Sequence, residues 1–231
     1  MVSIIIPTYN EESTLEALLQ QLRAQGAREI LVADGSSTDA TVSVARRYAG
    51  VVESPPNRGL QLNRAARQAG GDILLFLHAD VRLPAGALAA VEWALSDPRV
   101  VGGSFSLEFT GDGFPGRVFT RINHWRRFFG IFYGDSGIFV RRAVFERLGG
   151  FREWPVLEDY EFARRLVKAG RTVCLRERLA VSSRRWQGTN GRGGLLWRTM
   201  AAWFFIQTLF LLGVPAAWLA RWYPPVRREL N

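Results

Sequence analysis

The run Val2-Ser3-Ile4-Ile5-Ile6-Pro7-Thr8-Tyr9-Asn10-Glu11-Glu12, followed by Leu15, Leu18, Leu19 and Leu22, decides the fold. A short β-branched stretch buried on both faces reads as a strand of a parallel sheet, and apolar residues at three- and four-residue spacing read as one face of a helix. The same alternation continues outward. Residues 2 to 6, 28 to 33, 50 to 53 and 72 to 78 are expected as strands, and residues 12 to 25, 38 to 48 and 59 to 69 as the helices between them. This is the pattern of βαβ units closing a Rossmann-like α/β domain around a central, mostly parallel sheet.

Farther along, Pro84 suits the first turn of another helix, and residues 99 to 109 suit a strand or a pair of strands. Gly137 to Val140 suggests a strand, residues 157 to 169 a helix ended by Gly170, and Thr172 to Leu175 a last short strand. Residues 111 to 134 are aromatic and basic, with Phe114, Phe119, Trp125, Phe128, Phe129, Phe132 and Tyr133, and are expected on the acceptor side of a site.

In an open parallel sheet the ligand lies at the carboxyl ends of the strands, where loop amides and helix N-termini converge. The second strand ends in Asp34-Gly35-Ser36-Ser37-Thr38-Asp39. An acid there, followed by glycine and hydroxyl residues, suits hydrogen bonding to a ribose or a base; Asp39 reads as a helix cap. The fourth strand delivers His78-Ala79-Asp80 to the same edge. Asp80 reads as a ligand for a hard divalent cation that bridges substrate phosphates, and His78 either as a second ligand or as a hydrogen-bonded strand-end residue.

Glu158 and Asp159 open the helix expected over residues 157 to 169. The helix dipole accounts for one acid, but adjacent acids point different ways, so one faces the cleft as a general base; Asp159 is the choice. After the last strand comes Ser182-Ser183-Arg184-Arg185-Trp186, where Arg185 suits a phosphate and Trp186 either a stacked sugar or simple packing.

With 231 residues, 48% hydrophobic and 22% charged, the chain is long and apolar enough for one sizeable domain with an appendage. A net charge of +9, nearly all from arginine, favours anionic partners such as nucleotides, phosphorylated substrates or lipid headgroups. No zinc-finger spacing, RNA-binding signature or basic tail speaks for nucleic acid. Cys174 is the single cysteine, excludes an internal disulfide and reads as a core residue. The amino terminus enters the first strand without a secretory signal, so a cytoplasmic location is expected.

Between Arg198 and Arg221 lies a 22-residue stretch without charge, residues 199 to 220. It is long enough to span a bilayer, but Gly213 and Pro215 interrupt it and favour two helices. Residues 191 to 231 are therefore expected to form an apolar helical tail behind a domain of residues 1 to 190. That tail either lies in a membrane interface, holding the protein on the inner face, or packs on the domain.

Taken in order, the segments SIIIPTYNE, DGSSTD, HAD, GDSG, LED and RRW resemble family 2 glycosyltransferases with the GT-A fold, over residues 2 to about 186. The resemblance is greatest to small bacterial members whose metal-site segment reads LHAD and is followed by an apolar tail. It implies an inverting transfer from a nucleoside-diphosphate sugar, supported by magnesium or manganese, to a hydroxyl acceptor; a lipid-linked one would suit the membrane readings of the tail. By that match Pro7, Tyr9 and Glu11 line the nucleotide pocket, Asp34 meets the base and Arg58 lies near the diphosphate. Asp80 matches the last aspartate of the DXD metal motif, Asp159 with Glu158 the catalytic ED pair, and Asp135 an acceptor-side loop.

Two positions depart from the pattern. His78 stands where DXD opens with aspartate, which leaves its part in metal binding open, and the QxxRW motif of processive members has lost its glutamine, which favours a single addition. The alternatives are transfer to polyprenyl phosphate and a non-catalytic sugar-nucleotide-binding module at the membrane.

Overall fold

Ile4 and Ile6 point to one side of the first strand and Ile5 to the other, and all three are fully buried, so both faces of the sheet are covered. The computed structural model describes residues 1–110, 136–182 and 194–222. In chain order its elements are β1 (Val2–Thr8), α1 (Glu12–Ala24), β2 (Glu29–Asp34), α2 (Thr41–Arg46), β3 (Gly50–Glu53), α3 (Arg58–Gln68), β4 (Ile73–Phe76), β5 (Val81–Arg82), α4 (Ala87–Ala94), β6 (Val100–Thr110), β7 (Ile138–Arg141), α5 (Arg142–Arg147), α6 (Glu158–Ala169), β8 (Arg171–Ser182), α7 (Gly194–Leu211) and α8 (Ala216–Leu219).

The strands form one sheet in the order β3-β2-β1-β4-β7-β6-β8-β5. The expected parallel block is present: β1 pairs with β2 and β4, and β2 with β3, all parallel. β7 runs antiparallel to both β4 and β6, and β6 returns to parallel pairing with β8. Because β1 lies between β2 and β4, the chain leaves the two sides of β1 in opposite directions, and a crevice opens at the carboxyl ends of β1 and β4.

Two apolar layers flank the sheet. Leu15, Leu18, Leu19 and Leu22 of α1 pack with Ile4, Ile6, Val44 and Val91 on one face. On the other, Leu62 of α3, Phe145 of α5 and Phe162 of α6 pack with Ile5, Leu74 and Phe76. Phe151 is the hub of this second layer, with ring centroids 4.9 Å from Phe76, 5.6 Å from Phe145 and 4.5 Å from Phe162. Such pairs add about 0.5–1.5 kcal/mol each beyond their area burial, which makes the segment before α6 a firm support.

Several expectations are corrected. The last strand is not a short run ending at Leu175: β8 continues to Ser182, because its register against β6 shifts where Ser104 pairs with Cys174 but Ser106 with Arg178. The bulge this creates is pinned by the Ser106 hydroxyl, which donates to the Leu175 carbonyl at 2.6 Å, and it breaks the alternation that marks a strand in sequence. The fourth strand is shorter than residues 72 to 78, and Val81–Arg82 forms a two-residue strand that pairs antiparallel with β8. Cys174 is exposed, not a core residue.

At the carboxyl end, Gly213 and Pro215 fall between α7 and α8, Gly213 with a left-handed φ of 93°. Ile206 and Leu219 pack on Leu157 and Tyr160, while Phe204, Phe205, Leu211, Leu212, Trp218 and Trp222 are exposed. Among the described residues no helix is long and apolar enough to cross a membrane.

Candidate active site

The loops leaving β1 and β2 are tied to each other by short polar side chains. The Asn10 amide N–H donates to Ser37 Oγ at 2.9 Å, and Asn10 Oδ1 accepts from the Thr38 N–H at 2.9 Å. Asp34 is 1% exposed, and its carboxylate accepts from Thr8 Oγ1 at 3.0 Å, Ser37 Oγ at 2.6 Å and the Ser37 N–H at 2.8 Å. Asp34 therefore braces the β1 and β2 exits against each other. Asp39 caps as expected, its two oxygens accepting from the Thr41 and Glu12 amides. Glu11 opens α1 and accepts from Thr14 Oγ1 at 2.8 Å, and Tyr9 stands half exposed beside it.

α3 reaches this crevice with its first turn. Asn57 caps it, accepting from the Leu60 N–H at 2.9 Å, and Gly59 lies so close to the Arg152 carbonyl that a Cβ there would overlap it. Arg58, the first helical residue, then faces the exit of β4 and the N-terminus of α6. Its Nη1 lies 3.0 Å from Glu158 Oε1 and 3.6 Å from Asp159 Oδ2, and its Nη2 lies 2.7 Å from His78 Nε2. Arginine carries only donors, so the imidazole Nε2 accepts. Pro7, Arg58, His78 and Asp159 line one small pocket together with Leu62, Phe76, Leu77, Ile138 and Phe151. Residues from four stretches that are distant in sequence thus meet at the carboxyl edge.

Glu158 and Asp159 differ in setting although adjacent. Glu158 is 4% exposed, and burial pushes its carboxyl above the ordinary range, the Asp159 charge adding to the shift and the Arg58 guanidinium opposing it. Asp159 is less enclosed and accepts from the Tyr160 N–H at 2.7 Å, at the helix N-terminus that favours a carboxylate. Leu157 before them has φ 64°, and with Asn10 (φ 53°) and Ser36 (φ 65°) it completes the positive-φ non-glycine residues among those described. All three lie in loops of this edge, and for a branched, buried leucine such a conformation persists only because its surroundings hold it.

Asp80 follows one residue after the chain turns from Leu77 and His78, half-buried at the same edge. Among the described residues no group of three or more His, Cys, Asp or Glu gathers to hold a metal. The donor set still fits a hard divalent cation bound with a substrate, because such an ion takes one or two protein carboxylates and completes its shell with phosphate oxygens and water. Asp135, Arg185 and Trp186 lie outside the described residues.

Three residues that hold the site escaped the sequence reading. Gln61 is buried and donates from Nε2 to the carbonyls of Thr8 at 2.9 Å and Ala33 at 2.7 Å, stitching the ends of β1 and β2. Asn63 donates to the Phe151 carbonyl and accepts from the Phe151 N–H, both at 2.8 Å. Leu157 sets the direction of the Glu158–Asp159 turn. The first two carried a signal in sequence, since each is an amide alternating with apolar residues inside a helix; Leu157 carried none.

Residues 3–149 match the model of the family described as Glycosyl transferase family 2. A PGL/p-HBAD biosynthesis glycosyltransferase of Mycobacterium bovis is 30% identical over 184 residues, covering 70% of this chain and 68% of that protein. An undecaprenyl-phosphate 4-deoxy-4-formamido-L-arabinose transferase of Aeromonas hydrophila is 37% identical over 119 residues, or 44% of this chain; the matched stretch spans only 36% of that relative's length. Among solved structures, a mannosyltransferase from Pyrobaculum calidifontis in complex with GDP-Man and Mn2+ shares the fold with a TM-score of 0.66 and 26% identity, over 97% of this chain and 72% of that one.

Proposed function

Since the chain belongs to glycosyl transferase family 2 and has the GT-A fold, we propose that it transfers a sugar, with inversion, from a nucleoside-diphosphate sugar to a hydroxyl acceptor. The observation that carries this reading is the meeting of Arg58 with Glu158 and Asp159 beside a pocket at the carboxyl edge of the sheet, lined by His78 two residues before Asp80.

In this reading Pro7, Tyr9, Glu11 and the loop braced by Asp34 receive the nucleoside, and Arg58 meets the diphosphate. Asp80 would hold a magnesium or manganese ion, which when bound neutralises charge on the departing diphosphate. Asp159 takes the proton from the acceptor hydroxyl as its oxygen bonds to the anomeric carbon, and the bond from that carbon to the diphosphate oxygen breaks on the opposite face. Buried Glu158 keeps Arg58 and Asp159 in place. Asp135, Arg185 and Trp186 are assigned to the acceptor side from the sequence alone.

The domain is residues 1 to 190, with a tail of residues 191 to 231 whose Ile206 and Leu219 pack on Leu157 and Tyr160 and whose exposed aromatic residues turn to the inner surface of the membrane. The exposed Phe204, Phe205, Trp218 and Trp222 and the positive net charge support this placement and a lipid-linked acceptor.

A second reading, transfer to polyprenyl phosphate, is favoured by the name of the Aeromonas relative. A phosphate acceptor is already ionised at neutral pH and needs no base. Donor consumption by the intact protein, measured with hydroxyl and polyprenyl-phosphate acceptors, separates the two. Loss of turnover in Asp159→Asn with sugar-nucleotide binding retained supports the hydroxyl acceptor; unimpaired transfer by that variant supports the phosphate and removes the base from the mechanism.

A further inference from the structure

His78 stands where the resembled DXD motif opens with aspartate, yet its ring is engaged with Arg58. Nε2 lies 2.7 Å from Arg58 Nη2, a nitrogen that can only donate, so the ring lone pair on that side is taken. With Nε2 accepting, a neutral imidazole carries its proton on Nδ1. Neither nitrogen then has a lone pair for a cation, and the guanidinium beside the ring adds a positive charge that a second cation would have to approach.

The other end of the same guanidinium touches the base pair. Nη1 lies 3.0 Å from Glu158 Oε1 and 3.6 Å from Asp159 Oδ2. A guanidinium is a rigid planar fork, so an acceptor that fixes Nη2 also fixes the direction in which Nη1 points. Arg58 sits on the first turn of α3, capped by Asn57 and pressed against the Arg152 carbonyl at Gly59, so its backbone is held and only the side-chain rotamer needs a further constraint. His78 supplies one.

We propose that His78 is a positioning residue that orients Arg58 toward Glu158 and Asp159, and that it is not a ligand of the divalent cation. The proposal rests on the reading of Asp159 as the base. Exchange of aspartate for histidine at this place leaves Asp80 as the protein's carboxylate for the ion, and it connects the exit of β4 to the N-terminus of α6 through one arginine. A carboxylate at position 78 would instead compete with Glu158 and Asp159 for that arginine.

The sequence has two histidines, His78 and His124, so the resonance lost in His78→Gln identifies this ring in a 15N spectrum of the intact protein. The expected ring is protonated on Nδ1 and accepting on Nε2, with a signal that moves in Arg58→Gln; a ring protonated on Nε2 overturns the proposal. Calorimetric titration of Mn2+ into the protein with UDP or GDP gives the second readout. In His78→Ala the Mn2+ affinity should change by less than about threefold, while turnover falls about 10- to 100-fold, the worth of a hydrogen bond to a charged group, and His78→Gln recovers most of it because its carbonyl oxygen accepts from the guanidinium.

A drop of about tenfold or more in Mn2+ affinity, with turnover restored by excess metal and by His78→Asp but not by His78→Gln, makes His78 a ligand and overturns the proposal. Unchanged turnover in His78→Ala overturns it as well. The 15N measurement needs no catalysis: the expected tautomer in a protein whose Asp159→Asn variant keeps full turnover would uphold the His78–Arg58 pair and remove only the base reading.

Discussion

Gln61 and Asn63 stand two residues apart on α3, on opposite sides of the helix, and each serves a region built in a different way. Gln61 closes the nucleotide side, where loops follow directly on β1 and β2 and are tied by short polar side chains at their own ends. Asn63 closes the side of the proposed base, where Glu158 and Asp159 are presented by a strained Leu157, a segment pinned through Phe151, and the inner face of the tail. The nucleotide side is a matter of loop chemistry next to strands. The base side depends on contacts between residues far apart in the chain, and it concentrates charge in low-dielectric surroundings, where a missing partner is more costly.

The largest expected effect falls on the base side and leaves the other untouched. Asp159→Asn should lower turnover by about 100- to 10,000-fold, the usual contribution of a positioned base, with sugar-nucleotide affinity preserved. A matched loss of affinity, measured by calorimetry, would mean that the two sides do not separate.

Next come the two amides of α3. Asn63→Ala should destabilise the protein by about 1–3 kcal/mol in denaturant unfolding, because the buried N–H and carbonyl of Phe151 both lose their partner. Gln61→Ala should cost about as much or less, removing the side-chain donor to the Ala33 carbonyl and to the Thr8 carbonyl, which keeps the Gly35 N–H, but in kinetics Gln61→Ala is expected to raise KM for the donor and Asn63→Ala to lower kcat. Identical kinetic signatures would erase the distinction.

A smaller effect concerns pH. The Glu158 carboxyl is held above its ordinary value of 4.5, so the folded protein keeps that proton more readily than the unfolded chain. The stability this gives is complete below the ordinary value and is lost as pH rises through the raised one. Glu158→Gln, which cannot ionise, should therefore gain in melting temperature relative to the parent as pH rises from about 4 to 8. A difference that stays constant across that range would contradict the burial of an ionisable group.

The smallest effect on folding is expected at the outer face of the tail. Phe204→Ser with Phe205→Ser should change stability by no more than about 0.5 kcal/mol per site, since both side chains are exposed, while reducing flotation with anionic vesicles at low salt. Equal flotation of variant and parent would remove this face from the membrane.

The same contrast explains how much of the molecule could be read from its sequence. β1, β2, β3 and α1 follow from local periodicity, and the polar loops behind them announce themselves because the chemistry directly follows the strand. Asp159 was legible as one of two acids opening a helix. What escaped depends on distant partners: β5 is two residues long and exists only by pairing with β8, and the bulge in β8 arises from its register against β6. Leu157 has no local feature that demands its positive φ, and the contact of His78 with Arg58 joins the first turn of α3 to the exit of β4, 20 residues apart in the chain.

In the proposed function a sugar nucleotide binds at the carboxyl edge with a divalent cation held by Asp80. Calorimetric titration of the intact protein with UDP, GDP and their common sugar conjugates, with and without manganese or magnesium, tests it. Metal-dependent binding of one nucleotide series, lost in Asp80→Ala and kept in Asp159→Asn, is the expected result. Absence of binding by any of them to the folded protein, or metal-independent binding that Asp80→Ala leaves intact, would contradict it.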